Sequence, residues 1–311
     1  MITASYDIAL KELRAGGIVA LPTETVYGLA ADIRNPQAIA KIFETKMRPE
    51  FDPLIVHVSD IADTVRVVEN WPPLAQKLAE AFWPGPLTMV LRRRSNINPM
   101  ITSGLETVAV RLPANLKTRS LIRELGAPVA APSANRFGHT SPTTAAHVDS
   151  EFCGEVLVLD DGPCRVGIES TVIRIDANKI QILRPGAVTA EDLAQFATVE
   201  TVKNSVETPG HLQHHYMPAI PLIVLQNVRA LAGLTYEHIR CQLQKQILHP
   251  AWMELPDDPT LAARLLYANM RTAAALPDVN CLFVTYPFNE RRANLWAGIS
   301  DRLEKAATLI V

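Results

Sequence analysis

Cysteine is scarce and never paired in this sequence. Cys153, Cys164, Cys241 and Cys281 are the 4 in 311 residues, and no Cys-x-x-Cys spacing occurs. That excludes a zinc ribbon and a disulfide framework and predicts buried, reduced thiols. An excess of charge is missing too. The 30 Lys and Arg stand against 32 Asp and Glu, a formal net charge of −2. Any basic surface must therefore be local, and the overall charge of a dedicated nucleic-acid binder is lacking. No apolar run is long enough to span a bilayer, and Met1 to Asp7 lack the basic-then-apolar order of a signal peptide. A cytoplasmic protein without a membrane segment is expected. Neither Gly-x-x-x-x-Gly-Lys-Ser/Thr nor a post-strand Gly-x-Gly-x-x-Gly occurs, so a nucleotide site must be of another kind.

The chain does have a globular composition, 48% hydrophobic and 20% charged, with no room for extended disorder. Its length favours about two domains. Through roughly residue 190, short β-branched runs alternate with helical patterns, as in an α/β domain. Strands are expected at Ile18–Leu21, Leu54–Val58, Leu87–Leu91, Val108–Val110, Val129–Ala131, Val156–Leu159 and Thr171–Ile175. Several are apolar throughout, which predicts a sheet covered on both faces. Asn35 and Pro36 open a helix that presents Ile39, Ile42 and Phe43 and must stop before Pro49. A second helix runs through Leu74, Leu78 and Phe82. A third, carrying Leu121, Ile122 and Leu125, ends on Gly126. Thr189–Asp192 resembles a helix start. Residues 1–204 read as one domain, 205–219 as a linker, and 220–311 as a small second domain. The latter has strands at Leu222–Leu225 and Cys281–Val284 and helices through Leu261–Arg271 and Ile299–Ala307.

Polar clusters fall where predicted strands end, the usual place for ligands on open α/β sheets. Pro22-Thr23-Glu24-Thr25 follows the first strand; a turn with a capped helix would look the same. Lys46, Arg48 and His57 could neutralise a phosphate or carboxylate, or the two cations could cap a helix C-terminus. Arg111 can pair bidentately with a carboxylate, from a ligand or from within the protein. Ala131-Pro132-Ser133-Ala134-Asn135, Gly167-Ile168-Glu169-Ser170-Thr171 and Arg184-Pro185-Gly186 are weaker signals of the same sort. His211, His214 and His215 invite a metal reading, but no fourth ligand accompanies them; a solvated segment or ligand lid fits better. Arg92-Arg93-Arg94 reads as a solvated strand end, with phosphate or tRNA contact as the alternative.

In their order along the chain, Pro22-Thr23-Glu24-Thr25-Val26-Tyr27-Gly28-Leu29, Lys46-Met47-Arg48-Pro49, Pro53-Leu54-Ile55-Val56-His57, Trp83-Pro84-Gly85-Pro86-Leu87-Thr88, Val108-Ala109-Val110-Arg111-Leu112-Pro113, Ala131-Pro132-Ser133-Ala134-Asn135, Glu169-Ser170-Thr171 and Leu183-Arg184-Pro185-Gly186 resemble the Sua5/YrdC family of threonylcarbamoyl-AMP synthases. The resemblance spans about residues 7 to 196. Thr208-Pro209-Gly210 through His215-Tyr216-Met217-Pro218 is similar to the segment joining the two domains of the longer, Sua5-type members, and the C-terminal part resembles their small domain more loosely.

The resemblance implies an open twisted α/β sheet of YrdC-like type followed by a smaller Rossmann-like α/β domain. It implies an enzyme that condenses L-threonine, bicarbonate and ATP into threonylcarbamoyl-adenylate, pyrophosphate and water for the t6A modification of tRNA. Magnesium would accompany ATP, and a downstream t6A transferase machinery would take the product, with tRNA contact as a further option. By similarity, Thr25, His57, Arg111, Ala131 and Ser170 hold threonine. Lys46, Arg48, Asp52, Thr107, Ser133, Ser141, Arg184, His215 and Tyr216 fall to ATP, and no residue is assigned as a covalent nucleophile. Asp52 departs from the family's usual asparagine, and a carboxylate there repels phosphate unless it is protonated or meets a cation. Arg48→Ala is expected to abolish turnover with the fold intact. The competing classes are a non-catalytic RNA-binding or ribosome-assembly module and a carbamoyl-adenylate enzyme related to hydrogenase-maturation carbamoyltransferases.

Overall fold

The computed structural model describes residues 1–176, 179–202, 205–209, 215–226, 234–244 and 248–311. Two compact units emerge, Met1–Phe137 with Ser141–His211, and Gly138–Thr140 with Leu212–Val311. Residues 205–211 of the expected linker thus belong to the first unit, and a short piece of the first expected domain belongs to the second.

The first unit runs β1 (Ile2–Thr3), α1 (Tyr6–Arg14), β2 (Val19–Leu21), β3 (Gly28–Asp32), α2 (Pro36–Lys46) and β4 (Ile55–His57). After a 3-10 turn at Ile61–Arg66 come α3 (Pro73–Phe82), β5 (Leu87–Arg92), α4 (Pro99–Thr102), β6 (Thr107–Arg111), α5 (Leu116–Leu125) and β7 (Val129–Ala130). The unit closes with α6 (Ala145–Glu151), β8 (Leu157–Leu159), β9 (Thr171–Asp176), β10 (Lys179–Arg184), α7 (Ala190–Ala194) and β11 (Thr198–Thr201). Among the described residues these strands form one open sheet in the order β1-β8-β2-β3-β7-β4-β6-β5-β9-β10-β11.

The caps follow the local chemistry. Asn35 accepts from the Gln37 and Ala38 amides at the start of α2, and Pro36 takes the first turn, where its missing N–H costs nothing. Gly126 ends α5 at φ 74°, a conformation cheap only for glycine. Thr189 and Asp192 form a capping box on α7.

Strand register decides which face each side chain takes, because the side-chain period is two. Ile55 pairs with Ala109 and His57 with Arg111, while Met89 pairs with Val110 and with Ile173. One face therefore carries Val56, Met89, Val108, Val110 and Ile173, which pack with Ile39, Ile42, Phe43, Leu74 and Leu78 of α2 and α3 into the main core. On the other face, α1 and α5 cover Val19, Leu21, Ala30, Val129 and Ala131. The helices stop there. Beyond them Ile55, Val90, Ala109, Val172 and Leu183 form a separate apolar floor against which Val202 packs. This face too is buried over the strands that carry His57 and Arg111, as expected of a sheet covered on both faces.

The second unit is a small parallel α/β layer. Its elements are β12 (Leu222–Leu225), α8 (Leu234–Gln242), β13 (Pro250–Trp252), α9 (Pro259–Ala274), β14 (Cys281–Thr285), α10 (Leu295–Ala306) and β15 (Leu309–Ile310). The strand order is β13-β14-β12-β15, with every pair parallel. The continuous apolar runs of β12 and β14 suit strands buried on both faces.

Candidate functional site

Arg111, the last residue of β6, is 4% exposed and sits at the centre of a buried polar cluster. Its Nη1 donates to Thr25 Oγ1 (3.0 Å), its Nη2 to Glu24 Oε1 (2.6 Å) and its Nε to the Gly85 carbonyl (3.2 Å). Glu24 is held in turn by the Ala114 amide (2.9 Å). The Pro22–Thr25 loop is rigid for local reasons: Thr23 Oγ1 lies 2.9 Å from Thr25 Oγ1, accepts from the Thr25 and Val26 amides, and donates to the Val26 carbonyl. The Gly167 and Val166 amides close on the carbonyls of Thr25 and Glu24. A guanidinium has five N–H donors. The three bonds above leave two for a ligand in the same plane.

His57 stands beside Arg111 as its partner across the β4–β6 pair. It is buried, and its Nδ1 has no hydrogen-bond partner among the described residues. Burial first, and the neighbouring Arg111 charge second, push its pKa down to about 3. The imidazole is therefore neutral at working pH, an orientable polar group that adds no charge beside the arginine.

Ser170 joins the cluster from the loop before β9. Its Oγ lies 2.8 Å from Thr88 Oγ1, and Thr88 adjoins Met89, which pairs with Val110 next to Arg111. Arg184 clasps the same loop, donating from Nε and Nη2 to the Ser170 carbonyl (3.2 and 3.0 Å) and from Nη1 to the Pro209 carbonyl (3.1 Å). Only glycine permits this closeness at position 186: a Cβ there would lie 2.5 Å from the Thr171 nitrogen and 2.7 Å from the Glu169 oxygen. Ser141 donates to Glu169 Oε1 at 2.5 Å.

Lys46 and Arg48 do different things. Lys46 is fully buried at the end of α2, and its Nζ donates to the carbonyls of Ser133 (2.6 Å) and Asn135. Burial, with the nearby Arg48 charge, holds its ammonium well below the usual lysine range. It is a strut for the 131–135 loop, which also bridges to Gly28 through Ser133. Arg48 donates to the carbonyls of Asp52 (3.0 Å) and Pro53 (2.8 Å) and forms an ion pair with Asp52 Oδ2 at 2.9 Å, both side chains at most 2% exposed. The departure at position 52 thus places a carboxylate against a cation. The Ser133 hydroxyl, half-buried, makes no hydrogen bond among the described residues. Ala131 sits next to Gly28, where a Cβ on the glycine would come within 3.2 Å.

Thr107 opens β6, four residues from Arg111 and so about 13 Å away along the strand. Register sets it at the opposite end of the apolar floor. Its hydroxyl donates to Glu207 Oε1 (2.9 Å), whose other oxygen pairs with Arg174 (2.6 Å). Thr88, Arg174 and Glu207 were not singled out by sequence reasoning. Thr88 lies inside a recognised motif, but the Glu207–Thr107 contact joins residues 100 positions apart and leaves no local signal.

His215 and Tyr216 are in the second unit, and both are buried there. His211 and His214 lie outside the described residues. Among the described residues no three His, Cys, Asp or Glu side chains converge on a metal position. Cys164 and Cys281 are buried as expected, but Cys153 and Cys241 are exposed. In the basic run, Arg92 pairs with Glu69 (2.7 Å) and Arg93 with Glu106 (3.1 Å), and Arg94 donates to the Val65 carbonyl. No helix among the described residues is long and apolar enough to cross a membrane.

Comparison with known proteins matches this arrangement. The family model Sua5_yciO_yrdC, described as "Telomere recombination", matches residues 11–186, and Sua5_C, described as "Threonylcarbamoyl-AMP synthase, C-terminal domain", matches 188–308. A threonylcarbamoyl-AMP synthase of Bacillus subtilis is 41% identical over 69% of this chain and 64% of its own length. One of Pyrococcus abyssi is 39% identical over 71% of this chain and 68% of its own. The crystal structure of P. abyssi Sua5 complexed with L-threonine superposes with a TM-score of 0.86 at 32% identity, covering 98% of this chain and 96% of that one. With both family models matched in order and the fold shared almost end to end, the chain belongs to the Sua5/YrdC family.

Proposed function

We propose that this chain is a threonylcarbamoyl-AMP synthase, which condenses L-threonine, bicarbonate and ATP into threonylcarbamoyl-adenylate, pyrophosphate and water. The observation that carries the reading is Arg111: a buried guanidinium fixed on three sides by Thr25, Glu24 and Gly85, with two N–H groups left for a carboxylate. Thr25, Ser170 and Ala131 supply hydroxyls and a small side chain around it, and neutral His57 contributes polarity without charge. A threonine held there by its carboxylate and hydroxyl presents its amine, once deprotonated, to bicarbonate. Holding the two together removes most of the entropic barrier to carbamate formation.

The carbamate oxygen then displaces pyrophosphate from the α-phosphorus. No nucleophilic side chain is required. Negative charge grows on the leaving pyrophosphate, and fixed cations nearby favour that state over the ground state. Arg48 and Arg184 are assigned that work, with Lys46 holding the loop of Ser133, and Thr107, Ser141, His215 and Tyr216 completing the nucleotide contacts by family resemblance. Asp52 is assigned to orienting Arg48 rather than to touching phosphate. Magnesium enters with ATP as part of the substrate, held by phosphate oxygens and water. The reading puts the enzyme in the cytoplasm, with a tRNA-modifying t6A transferase machinery consuming the adenylate.

Pyrophosphate release from the purified chain tests the reading. Release that needs ATP, threonine and bicarbonate together supports it. Salt-sensitive RNA binding with no turnover would assign the chain to the RNA-binding class instead.

A further inference from the structure

The largest fully buried side chain among the described residues is an arginine, Arg302 of α10, at 0% exposure. It belongs to the second unit, whereas every residue assigned to threonine belongs to the first. Its Nη1 reaches Asp301 Oδ2 at 3.0 Å and Lys305 holds the same carboxylate at 2.7 Å, so its charge is compensated locally. Its guanidinium carbon stands 5.5 Å from the centre of the Tyr216 ring, a cation–π arrangement that strengthens when water is excluded. Tyr267 of α9, also fully buried, stacks on the same ring at 5.8 Å and 27°. His215 meets it edge-on at 4.2 Å and 77°.

The backbone beneath is equally constrained. Tyr216 has φ +66°, a left-handed conformation that an aromatic residue adopts only when its surroundings impose it. The Tyr216 carbonyl accepts from Thr140 Oγ1 (3.1 Å). The Met217 amide donates to Gly138 and the Thr140 amide to Met217 (2.8 and 2.9 Å). Three sides of the ring and both flanking peptides are thus determined by the second unit itself.

We propose that Arg302 and Tyr267 are positioning residues: they hold Tyr216 in its left-handed conformation and so fix the orientation of His215 for the nucleotide. This rests on the assignment of His215 and Tyr216 to ATP given above. It gives the small domain a task in the reaction although it contributes no threonine ligand. A leucine or methionine at position 302 could fill the volume, but it could not attract the face of the tyrosine ring.

The test uses the intact chain, wild type against Arg302→Met, with two readouts. Amide hydrogen exchange of residues 215–217 reports the turn by itself. It is expected to quicken in the variant while exchange in β12 and β14 stays unchanged. The KM for ATP is expected to rise about tenfold, equivalent to about 1.4 kcal/mol, with threonine affinity unaltered. Unchanged exchange at 215–217 overturns the proposal. Faster exchange with an unchanged ATP KM overturns the link to the nucleotide. Parallel loss of threonine affinity and of exchange protection throughout would reveal a merely structural arginine. If Arg302→Met does not fold, Arg302→Lys, which keeps the charge but loses the planar group, carries both readouts with smaller changes in the same direction. A wild type without threonine-dependent pyrophosphate release defeats the proposed function, whereas the exchange result still decides whether Arg302 sets the turn.

Discussion

At the scale of single residues, the same side chain often serves the site and the fold, and this changes what a substitution reports. Arg48 is assigned to ATP, but its guanidinium also neutralises a buried carboxylate, Asp52, at 2.9 Å. Removing one partner of a buried pair strands the other at a cost of about 3–5 kcal/mol. Arg48→Ala is therefore expected to lose both turnover and several kcal/mol of stability, contrary to the sequence-based expectation of an intact fold. Denaturant unfolding of Arg48→Ala against Arg48→Ala/Asp52→Asn separates the two effects. The double variant should regain part of the stability and none of the turnover. Equal stability of both variants would mean that the ion pair contributes nothing.

His57 makes a prediction through pH. Its folded pKa, about 3, lies below its ordinary 6.5, so in that interval the unfolded chain binds a proton that the folded chain refuses. Stability associated with this residue is complete above pH 6.5 and drains away as pH falls towards 3. His57→Gln removes the titration. Its stability should decline less steeply than the wild type's between about pH 6.5 and 4, measured by denaturant midpoints across the range. Parallel curves would show that His57 titrates normally.

At the scale of elements, the segment 205–209 reaches both ends of the apolar floor, Glu207 at the Thr107 end and Pro209 at the Arg184 end. Glu207 takes the Thr107 hydroxyl and Arg174, and Pro209 takes Arg184, so two residues assigned to ATP are engaged by one short stretch. A carboxylate at that place opposes a triphosphate of like charge. Glu207→Gln is expected to lower the KM for ATP by about two- to fivefold with kcat little changed, read by steady-state pyrophosphate release. A higher KM would make Glu207 a ligand of the nucleotide rather than its competitor. Local sequence could not anticipate this, because Pro209-Gly210 and the surrounding polar residues carry turn signals and nothing about what they touch. β3 was missed for a similar reason: Gly28–Asp32 has two alanines and a glycine where β-branched residues usually announce a strand, and its neighbours β2 and β7 make it one.

At the scale of the whole molecule, the chain has two compact units and two consecutive family models, but the second model begins at residue 188, so α7 and β11 of the first unit fall within it. Sequence alone determined the periodic elements, their caps and the ordered motifs. Asn35, Gly126 and Thr189 act on backbone within a few residues of themselves, and the Pro22–Gly28, Lys46–Arg48 and Ala131–Asn135 stretches bear their signatures in consecutive positions. Only the tertiary structure decided which of these residues meet. Arg111 and Glu24 lie 87 positions apart and Arg184 and Pro209 25 apart, so their pairing rests on sheet order and register, which no local pattern encodes. It also decided that Lys46 braces a loop, that Asp52 faces a cation and that Arg302 is buried against Tyr216. In each case the side chain's role depends on burial and on partners brought in from elsewhere in the chain. Those are properties of the packed molecule, whereas helix caps and strand periodicity are properties of neighbouring residues.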